Sequence, residues 1–251
     1  MKRQIIFSSL ALGSLLFLGE GSAFAHMRDY LFNQGYYTTR KGEFEVEFYN
    51  DLNLKDTDQS STFNSKHQVE LEYGLTSHWQ WAYYEVFTWD RPNDWQRDSL
   101  KIETKYRFLE SGELPVDIAL YAEYVNPNGH QESASDELEG KLILSRDFGP
   151  WNVIGNLITE RKINEHEDLQ WEYTAGVSYA LRPKVRLGLE LKETLGDQGE
   201  FGIHRKDHKL QLMPVIAVSP ASHTRILFGP AVGLTRASND LQFRSLVEIE
   251  F

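Results

Sequence analysis

The feature that most constrains the fold of this chain is an alternation of apolar and charged residues that recurs in segments of about ten residues. In the stretch "SLKIETKYRF" at 99–108, apolar residues and one threonine fall on one parity and charged residues on the other. Successive side chains of a β-strand point to opposite faces, whereas a helix would scatter these charges around its circumference. The alternation recurs at 43–48, 68–73, 184–192 and 241–251, and it predicts strands along most of the chain.

Turn residues divide the chain into twelve such segments. The predicted strands lie near 43–54, 63–74, 79–90, 98–109, 116–126, 136–147, 151–161, 169–181, 184–195, 206–219, 223–235 and 240–251. Short connections such as "LTSH" and "SPAS" alternate with longer polar ones such as "KDTDQSST" and "GDQGEFGIHRK". This arrangement is typical of outer-membrane barrels. We therefore predict an all-β fold, a transmembrane antiparallel up-and-down β-barrel of 12 strands in a bacterial outer membrane, with 10 strands as the alternative.

A secreted soluble β-sandwich or lipocalin-like barrel would also show alternating strands. Such a protein buries its apolar face, and the aromatic and aliphatic residues of twelve strands would need a very large core. The mean hydropathy of −0.47 fits the inverse arrangement, with apolar side chains facing lipid and charges facing a wet lumen. Aromatic residues near predicted strand ends suit two interfacial girdles. These residues are Tyr49, Tyr73, Trp79, Trp81, Trp89, Trp95, Tyr124, Trp151, Trp171 and Tyr179.

The chain divides into three parts. Residues 1–25 have the pattern of a secretory signal, with two basic residues, an apolar stretch at 5–18 and a small-x-small end, and an uncleaved anchor is the alternative. Residues 26–42 alternate poorly and are expected to form a periplasmic lead-in or to plug the lumen. The predicted transmembrane barrel occupies 43–251, and it must fold without disulfides because the chain has no cysteine.

The final strand, "LQFRSLVEIEF", ends on an aromatic residue, Phe251. On our assignment its odd-numbered apolar residues face lipid and its even-numbered polar residues face the lumen. An alternating last strand with a C-terminal aromatic resembles the signal by which outer-membrane barrels are handed to the barrel-assembly machinery. The expected partners are therefore this machinery, the surrounding outer-membrane lipid and lipopolysaccharide, and a small solute.

The predicted lumen carries charges of both signs. Its lining residues are predicted to be Glu45, Glu47, Glu70, Glu72, Lys101, Glu103, Lys105, Arg107, Arg186, Glu190, Arg225 and Arg244. Such charges can pair across the wall and seal a narrow lumen, or they can line a selective pore. The first two strands are acidic inside and strands 4, 9 and 10 are basic-rich, so opposed walls would orient polar or zwitterionic solutes. A net charge of −11 argues against nucleic acid as a partner.

One hairpin carries a family resemblance. The stretch "YGLTSHWQW", Tyr73 to Trp81, resembles a strand-turn-strand element of transporter-like outer-membrane barrels, among them the family linked to the phenol-degradation pathway. The resemblance implies a transport or channel role and assigns no binding residue. We therefore expect a channel or uptake pore for a small polar or aromatic solute.

Histidines raise the question of a metal site. His204 and His208 are four residues apart, which on a strand separates them by about 13 Å, so they share an ion only if the loop curls back. His26 could chelate copper as a mature N-terminus, and the acidic loops around His130 and His166 could bind divalent cations. A flexible terminus and solvated acidic loops are the favoured explanations of these residues, and we predict no metal and no cofactor.

An enzyme is the alternative to a channel. A hydrolase would need a serine beside a histidine and an orienting carboxylate or amide. Asn50, Asp51, Ser65 and His67 fall near the outer ends of adjacent predicted strands, and this grouping resembles that of lipid A deacylases. That resemblance implies hydrolysis of an envelope lipid at the extracellular rim. A sealed structural barrel is the third possibility.

Overall fold

The computed structural model describes residues 27–56, 63–90, 95–127, 135–163, 169–197 and 208–251. The predicted signal at 1–25 and the histidines at 26, 130, 166 and 204 lie outside the described residues. The strands are β1 Phe44–Leu54, β2 Phe63–Gly74, β3 Trp79–Asp90, β4 Trp95–Arg107, β5 Asp117–Pro127, β6 Glu137–Phe148, β7 Trp151–Lys162, β8 Gln170–Arg182, β9 Val185–Asp197, β10 Lys209–Ala221, β11 Thr224–Gly233 and β12 Leu241–Glu250. In the described part of the chain, no helix is long and apolar enough to cross a membrane.

The strands form one closed antiparallel barrel. Each strand pairs with its neighbour in sequence, and β1 pairs with β12 from Glu45↔Glu250 to Leu54↔Leu241, which closes the sheet. The predicted 12-stranded barrel is confirmed, and the 10-strand alternative is wrong. Most boundaries agree within two residues, but β4 begins three residues before the predicted start and β10 three residues after it.

Apolar side chains cover the outer face, and the lumen face carries most of the buried polar side chains together with apolar ones such as Ile143, Met213 and Leu227. In β1, Phe48 is 41% exposed while the adjacent Glu47 is fully buried, although a soluble protein would reverse these positions. The outer surface of the barrel is a band of exposed Leu, Ile, Val and aromatic side chains from the successive strands. A closed sheet leaves no unpaired edge in lipid, and the band supplies the apolar surface that the bilayer core requires.

Four short turns lie at one end of the barrel, together with the longer connection 108–116. The turns at 75–78, 149–150, 183–184 and 222–223 mark the periplasmic end, where β1 also begins and β12 ends. Gly149 has φ +61°, a left-handed conformation that a glycine adopts without steric cost. The opposite end is extracellular in the geometry of such barrels.

Aromatic residues cluster on the outer face near both ends. Phe44 packs against Tyr73 and Trp151 against Tyr179 at the periplasmic end. Phe63 contacts Trp89 at the extracellular end. The girdle assignment of Tyr49 is wrong, because this residue has the same parity as Glu47 and Asp51 and is buried in the lumen, where its hydroxyl donates to Glu47.

The described residues before β1 lie inside the barrel. The segment 27–42, called the lumen segment below, forms a bridge to β2 near the periplasmic end, where Gly42 N donates to Gly74 O at 2.8 Å. A Cβ at position 74 would lie 1.9 Å from the carbonyl oxygen of Arg40, so only glycine permits this approach. Gly176 similarly makes room for the ring of Tyr30, whose Cε1 would lie 2.7 Å from a Cβ there.

Candidate functional site

All twelve residues predicted to line the lumen point into it. Nine of them are buried: Glu45, Glu47, Glu70, Glu72, Glu103, Lys105, Arg107, Glu190 and Arg225. The other three are Lys101, which pairs with Glu123, Arg186, which pairs with Asp29, and Arg244, which pairs with Asp51. Their inward direction follows from strand parity, because each alternates with outward-facing residues that are mostly apolar.

Arg28 of the lumen segment lies against the acidic wall. Its guanidinium is 2.8 Å from a Glu47 oxygen, 3.4 Å from Glu72 and 3.9 Å from Glu70. Its backbone N–H donates to Glu248 at 3.0 Å. Burial acts to lower the pKa of Arg28, but the surrounding carboxylates outweigh it and raise that pKa well above its ordinary value. One cation therefore neutralises part of a cluster of buried acids.

Asp29 contacts a basic part of the wall on β9 and β11. Its carboxylate is 2.9 Å from Arg186 Nε and accepts a hydrogen bond from Arg225. Burial raises the pKa of Asp29, and the two guanidinium groups oppose that effect. The acidic and basic walls thus bind neighbouring residues of opposite charge, Arg28 and Asp29.

Glu190 anchors the middle of the lumen segment. Its carboxylate accepts from the backbone N–H of Leu31 at 2.6 Å, of Phe32 at 2.8 Å and of Asn33 at 2.8 Å. The Asn33 amide adds a fourth bond at 2.8 Å. A single buried carboxylate therefore satisfies three consecutive backbone donors that have no strand partner.

Further polar contacts hold the rest of the segment. Tyr30 Oη donates to Asn152 Oδ1 at 2.8 Å, and Gln34 N donates to Asn156 Oδ1 at 2.6 Å. Thr39 Oγ1 donates to a Glu72 oxygen at 2.6 Å. The segment also packs apolar surface against the wall, with Leu31 in one buried cluster and Tyr36 in another.

Two cavities lie on either side of the lumen segment. A cavity of about 310 Å³ opens at the periplasmic side, and Tyr30, Tyr36 and Tyr37 are among its lining residues. A cavity of about 200 Å³ lies in the extracellular half and is lined by Leu31 to Gln34 together with charged wall residues. In that half, Lys101 Nζ is 2.7 Å from Glu123 and Lys192 Nζ is 2.9 Å from Glu172. The segment separates two water-accessible spaces within one lumen.

Carboxylates of the acidic wall approach one another closely enough to bind a cation. Two such groups are Glu45 with Glu47 and Glu72, and Glu70 with Glu72 and Glu103. The Arg28 guanidinium already supplies positive charge between them. Of the histidines weighed as metal ligands, only His208 lies within the described residues, and its Nε2 is 2.7 Å from a Glu193 oxygen. That contact is a hydrogen bond within the wall.

The sequence pattern did not predict the wall contacts of Arg28, Asp29 and Asn33. They lie in a segment without hydrophobic periodicity, so no pattern indicated which wall each would meet. The adjacent opposite charges of Arg28 and Asp29 were the available signal, because opposed acidic and basic walls had been predicted from the strands.

A second polar group lies on the outer face of the barrel, toward the extracellular end. His67 Nδ1 is 2.8 Å from Asn50 Oδ1, and His67 Nε2 is 3.1 Å from Ser65 Oγ. Asp51, which the sequence grouped with these residues, faces the lumen and binds Arg244 at 2.8 Å. The structure therefore brings together three of the four predicted residues and separates the fourth.

No protein-family model matches the sequence, and no curated protein matches it. Solved structures of the same fold include an outer-membrane channel from Pseudomonas putida F1, with 10% identity and a TM-score of 0.64 over 88% of this chain and 100% of that one. KdgM porin follows at 9% identity and a TM-score of 0.59, covering 82% of this chain and 99% of that one. NanC porin matches at 9% identity and a TM-score of 0.57, covering 82% and 98%.

At these identities the likeness concerns the fold. The described strands close into a barrel, the outer surface is an apolar band, and the three solved outer-membrane proteins named above have the same fold. The chain is therefore an outer-membrane β-barrel of porin-like architecture.

Proposed function

We propose that this barrel is a channel or uptake pore for a small polar or aromatic solute, and that the lumen segment is its gate. The observation that carries the proposal is the pair of cavities on either side of that segment. A barrel that served only as a scaffold would gain stability by filling these spaces with side chains. A lumen that is open on both sides of one displaceable segment fits passage better.

The contacts of the lumen segment support the gate. Water can replace the polar contacts of the segment, whereas its departure would also expose the apolar clusters that hold Leu31 and Tyr30, so opening has a cost that solute binding must offset. Glu190 and the charged walls around Arg28 and Asp29 hold it at defined points. Displacement of this segment would join the two cavities into one path.

The same contacts suggest the class of solute. Arg28 and Asp29 are adjacent residues of opposite charge, bound by an acidic wall on β1, β2 and β12 and by a basic wall on β9 and β11. A small dipolar or zwitterionic solute could compete for both walls, which would couple solute entry to release of the segment. Tyr30, Tyr36 and Tyr37 line the periplasmic cavity and offer aromatic surface. The narrower resemblance of residues 73–81 to the phenol-degradation barrel family stays a prediction.

A reversible tether tests the gate directly. The chain has no cysteine, and Asn33 Oδ1 accepts from Thr174 Oγ1 at 2.8 Å, so the double variant Asn33→Cys/Thr174→Cys is designed to link the segment to β8, and thiol titration verifies that the disulfide forms. Single-channel conductance in a planar bilayer is measured for the wild type and for the oxidised and reduced double variant. The two single-cysteine variants control for lost hydrogen bonds.

We expect open steps in the wild type and in the reduced variant, and we expect oxidation to abolish them. Steps that persist in the oxidised variant would mean that ions pass without movement of the segment, which contradicts the gate. A correctly inserted barrel that stays silent in the wild type and in the reduced variant would contradict the channel itself and favour a sealed lumen.

A further inference from the structure

The outer face of β1 and β2 carries polar side chains where lipid is expected. Asn50 follows Phe48 and precedes Leu52 on the outward parity of β1, and both apolar neighbours are exposed. Ser65 and His67 precede Val69 on the outward parity of β2. Polar groups facing lipid cost free energy unless they find partners or serve a function. These three side chains satisfy one another.

Their geometry has the order of a nucleophile, a base and an orienting group. Because the carbonyl Asn50 Oδ1 can only accept, it requires a proton on His67 Nδ1, at 2.8 Å. That tautomer leaves the Nε2 lone pair facing Ser65 Oγ, at 3.1 Å. We propose that Ser65, His67 and Asn50 form a hydrolytic site that cleaves an acyl ester of an outer-leaflet lipid.

The depth of the group in the membrane fits this substrate. Phe63 and Trp89 form the outer aromatic cluster, and the Trp95 ring lies 4.7 Å from the His67 ring. Amphipathic aromatic residues mark the headgroup level, where the ester bonds of membrane lipids lie. Ser65 is 5% exposed and Trp95 is 60% exposed, so we expect Trp95 to move aside when a lipid enters.

The same face offers a binding site for a charged headgroup. Phe87 of β3 lies between the two residues, paired with His67 of β2 on one side and with Arg97 of β4 on the other. The Arg97 guanidinium is 2.7 Å from Glu85, and its side chain is 42% exposed. An exposed guanidinium beside the ester level is suited to a lipid phosphate. The exposed Val69 and Leu71 continue as an apolar track for the acyl chain.

The reaction is an acyl transfer in two steps. Ser65 Oγ attacks the ester carbonyl carbon while its proton moves to His67 Nε2, and the tetrahedral intermediate then collapses. The alcohol leaves with the proton from His67, and the acyl group stays on Ser65. Water, deprotonated by His67, hydrolyses this acyl-enzyme, returns the proton to Ser65 and releases the fatty acid. Asn50 is a positioning residue that holds the imidazole.

The test uses refolded full-length mature protein in mixed micelles. One arm contains phosphatidylethanolamine and the other contains lipid A, so that fatty acid release distinguishes the two sources of the ester. A fluorophosphonate probe reports a reactive serine independently of the lipid. We expect release in one arm, covalent labelling in the wild type, and loss of both by at least about 1000-fold in Ser65→Ala.

Matched variants separate catalysis from structure. Ser245→Ala removes a hydroxyl from the same outer face, beside Asn50 in register but outside the proposed site, and we expect unchanged release and labelling. Asn50→Ala should lower the rate, while Asn50→Asp should restore part of it with a shifted pH profile, because a carboxylate also accepts from Nδ1. Circular dichroism and gel mobility establish that each variant is folded.

Wild-type protein that is folded yet releases no fatty acid in either arm and takes up no probe would overturn the proposal. Equal labelling of the wild type and Ser65→Ala would also overturn it, since another residue would then be reactive. Either result leaves the channel proposal intact, because the hydrolytic site and the lumen lie on opposite faces of the wall, and conductance is measured separately.

Discussion

Two polar groups, one on each face of the barrel wall, differ in what the fold requires of them. In the lumen, Arg28 meets Glu47, Glu70 and Glu72 in a space that β1 and β2 line with glutamates. On the outer face, His67 meets its two partners where the exposed neighbours are apolar. The lumen contacts follow from building a wet interior. Folding alone does not account for the outer group.

This difference indicates which polar residues of a barrel wall have a function beyond folding. Strand parity assigns polar residues to one face and apolar residues to the other, and the lumen group obeys that rule. The outer group breaks it with a serine, a histidine and an amide in hydrogen-bonding order. Local rules are broken most often where chemistry or binding requires it.

The largest expected effect falls on the outer group. We expect His67→Ala to lower ester hydrolysis at least about 1000-fold while single-channel conductance stays unchanged, because the general base is lost and the lumen is untouched. Added imidazole should restore part of the rate, measured as fatty acid release in micelles. A loss that imidazole does not rescue would indicate that His67 holds the site together and does not transfer protons.

A second large effect is expected for Glu190→Ala. This change removes the acceptor of three backbone N–H groups and of the Asn33 amide, which costs the closed state about 2 kcal/mol or more. The probability of the open state, measured in a planar bilayer, should then rise about 30-fold or more. Glu190→Gln keeps one acceptor oxygen and should give an intermediate value.

Ester hydrolysis by Glu190→Ala should equal that of the wild type. A parallel fall in hydrolysis would break the comparison, because it would show that the two faces of the wall are coupled. An unchanged open probability would show that Glu190 does not anchor the gate.

A smaller effect is expected for Arg28→Ala. Removal of the guanidinium leaves the buried carboxylates around it without their nearby cation, so the lumen becomes more favourable to cations. The reversal potential in a salt gradient should shift toward cation preference. Arg40→Ala is the matched control, because its side chain is 42% exposed and pairs with Glu43 outside the acidic cluster. An equal shift in both variants would contradict a local role for Arg28.

Much of the barrel could be predicted from the sequence, because alternation is a local property. The parity of Glu47 or Lys105 sets its face whatever the rest of the chain does. The same rule would have placed Tyr49 in the lumen, but its type and position near a predicted strand end suggested a girdle. Asp51 was grouped with Asn50 by closeness in sequence, although adjacent residues of a strand face opposite ways.

The contacts of the lumen segment could not be predicted in the same way. Residues 27–42 have no period, and their partners come from strands spread along the whole barrel, from Glu47 for Arg28 to Glu190 for Leu31. Those contacts depend on the closed shape of the wall. The outer group was partly accessible because Ser65, His67 and Asn50 belong to one hairpin, whose register fixes their distance.

The smallest effect concerns Phe251, whose predicted role lies in assembly and in neither polar group. Its backbone closes the barrel through Phe251 N, which donates to Phe44 O at 2.8 Å, and Phe251→Ala keeps that bond. The ring itself is 71% exposed, so the folded barrel should lose little stability. If the assembly machinery recognises the ring, the amount of folded protein in the outer membrane should fall by about threefold, an effect of about 0.6 kcal/mol on partitioning.

The control is Phe148→Ala, which removes another exposed ring at the periplasmic end and should leave the amount of folded protein unchanged. Conductance and hydrolysis per folded molecule should match the wild type in both variants, because neither ring touches the lumen or the outer polar group. A fall in conductance or hydrolysis per folded molecule would mean that the pairing of β1 with β12 affects both faces of the wall.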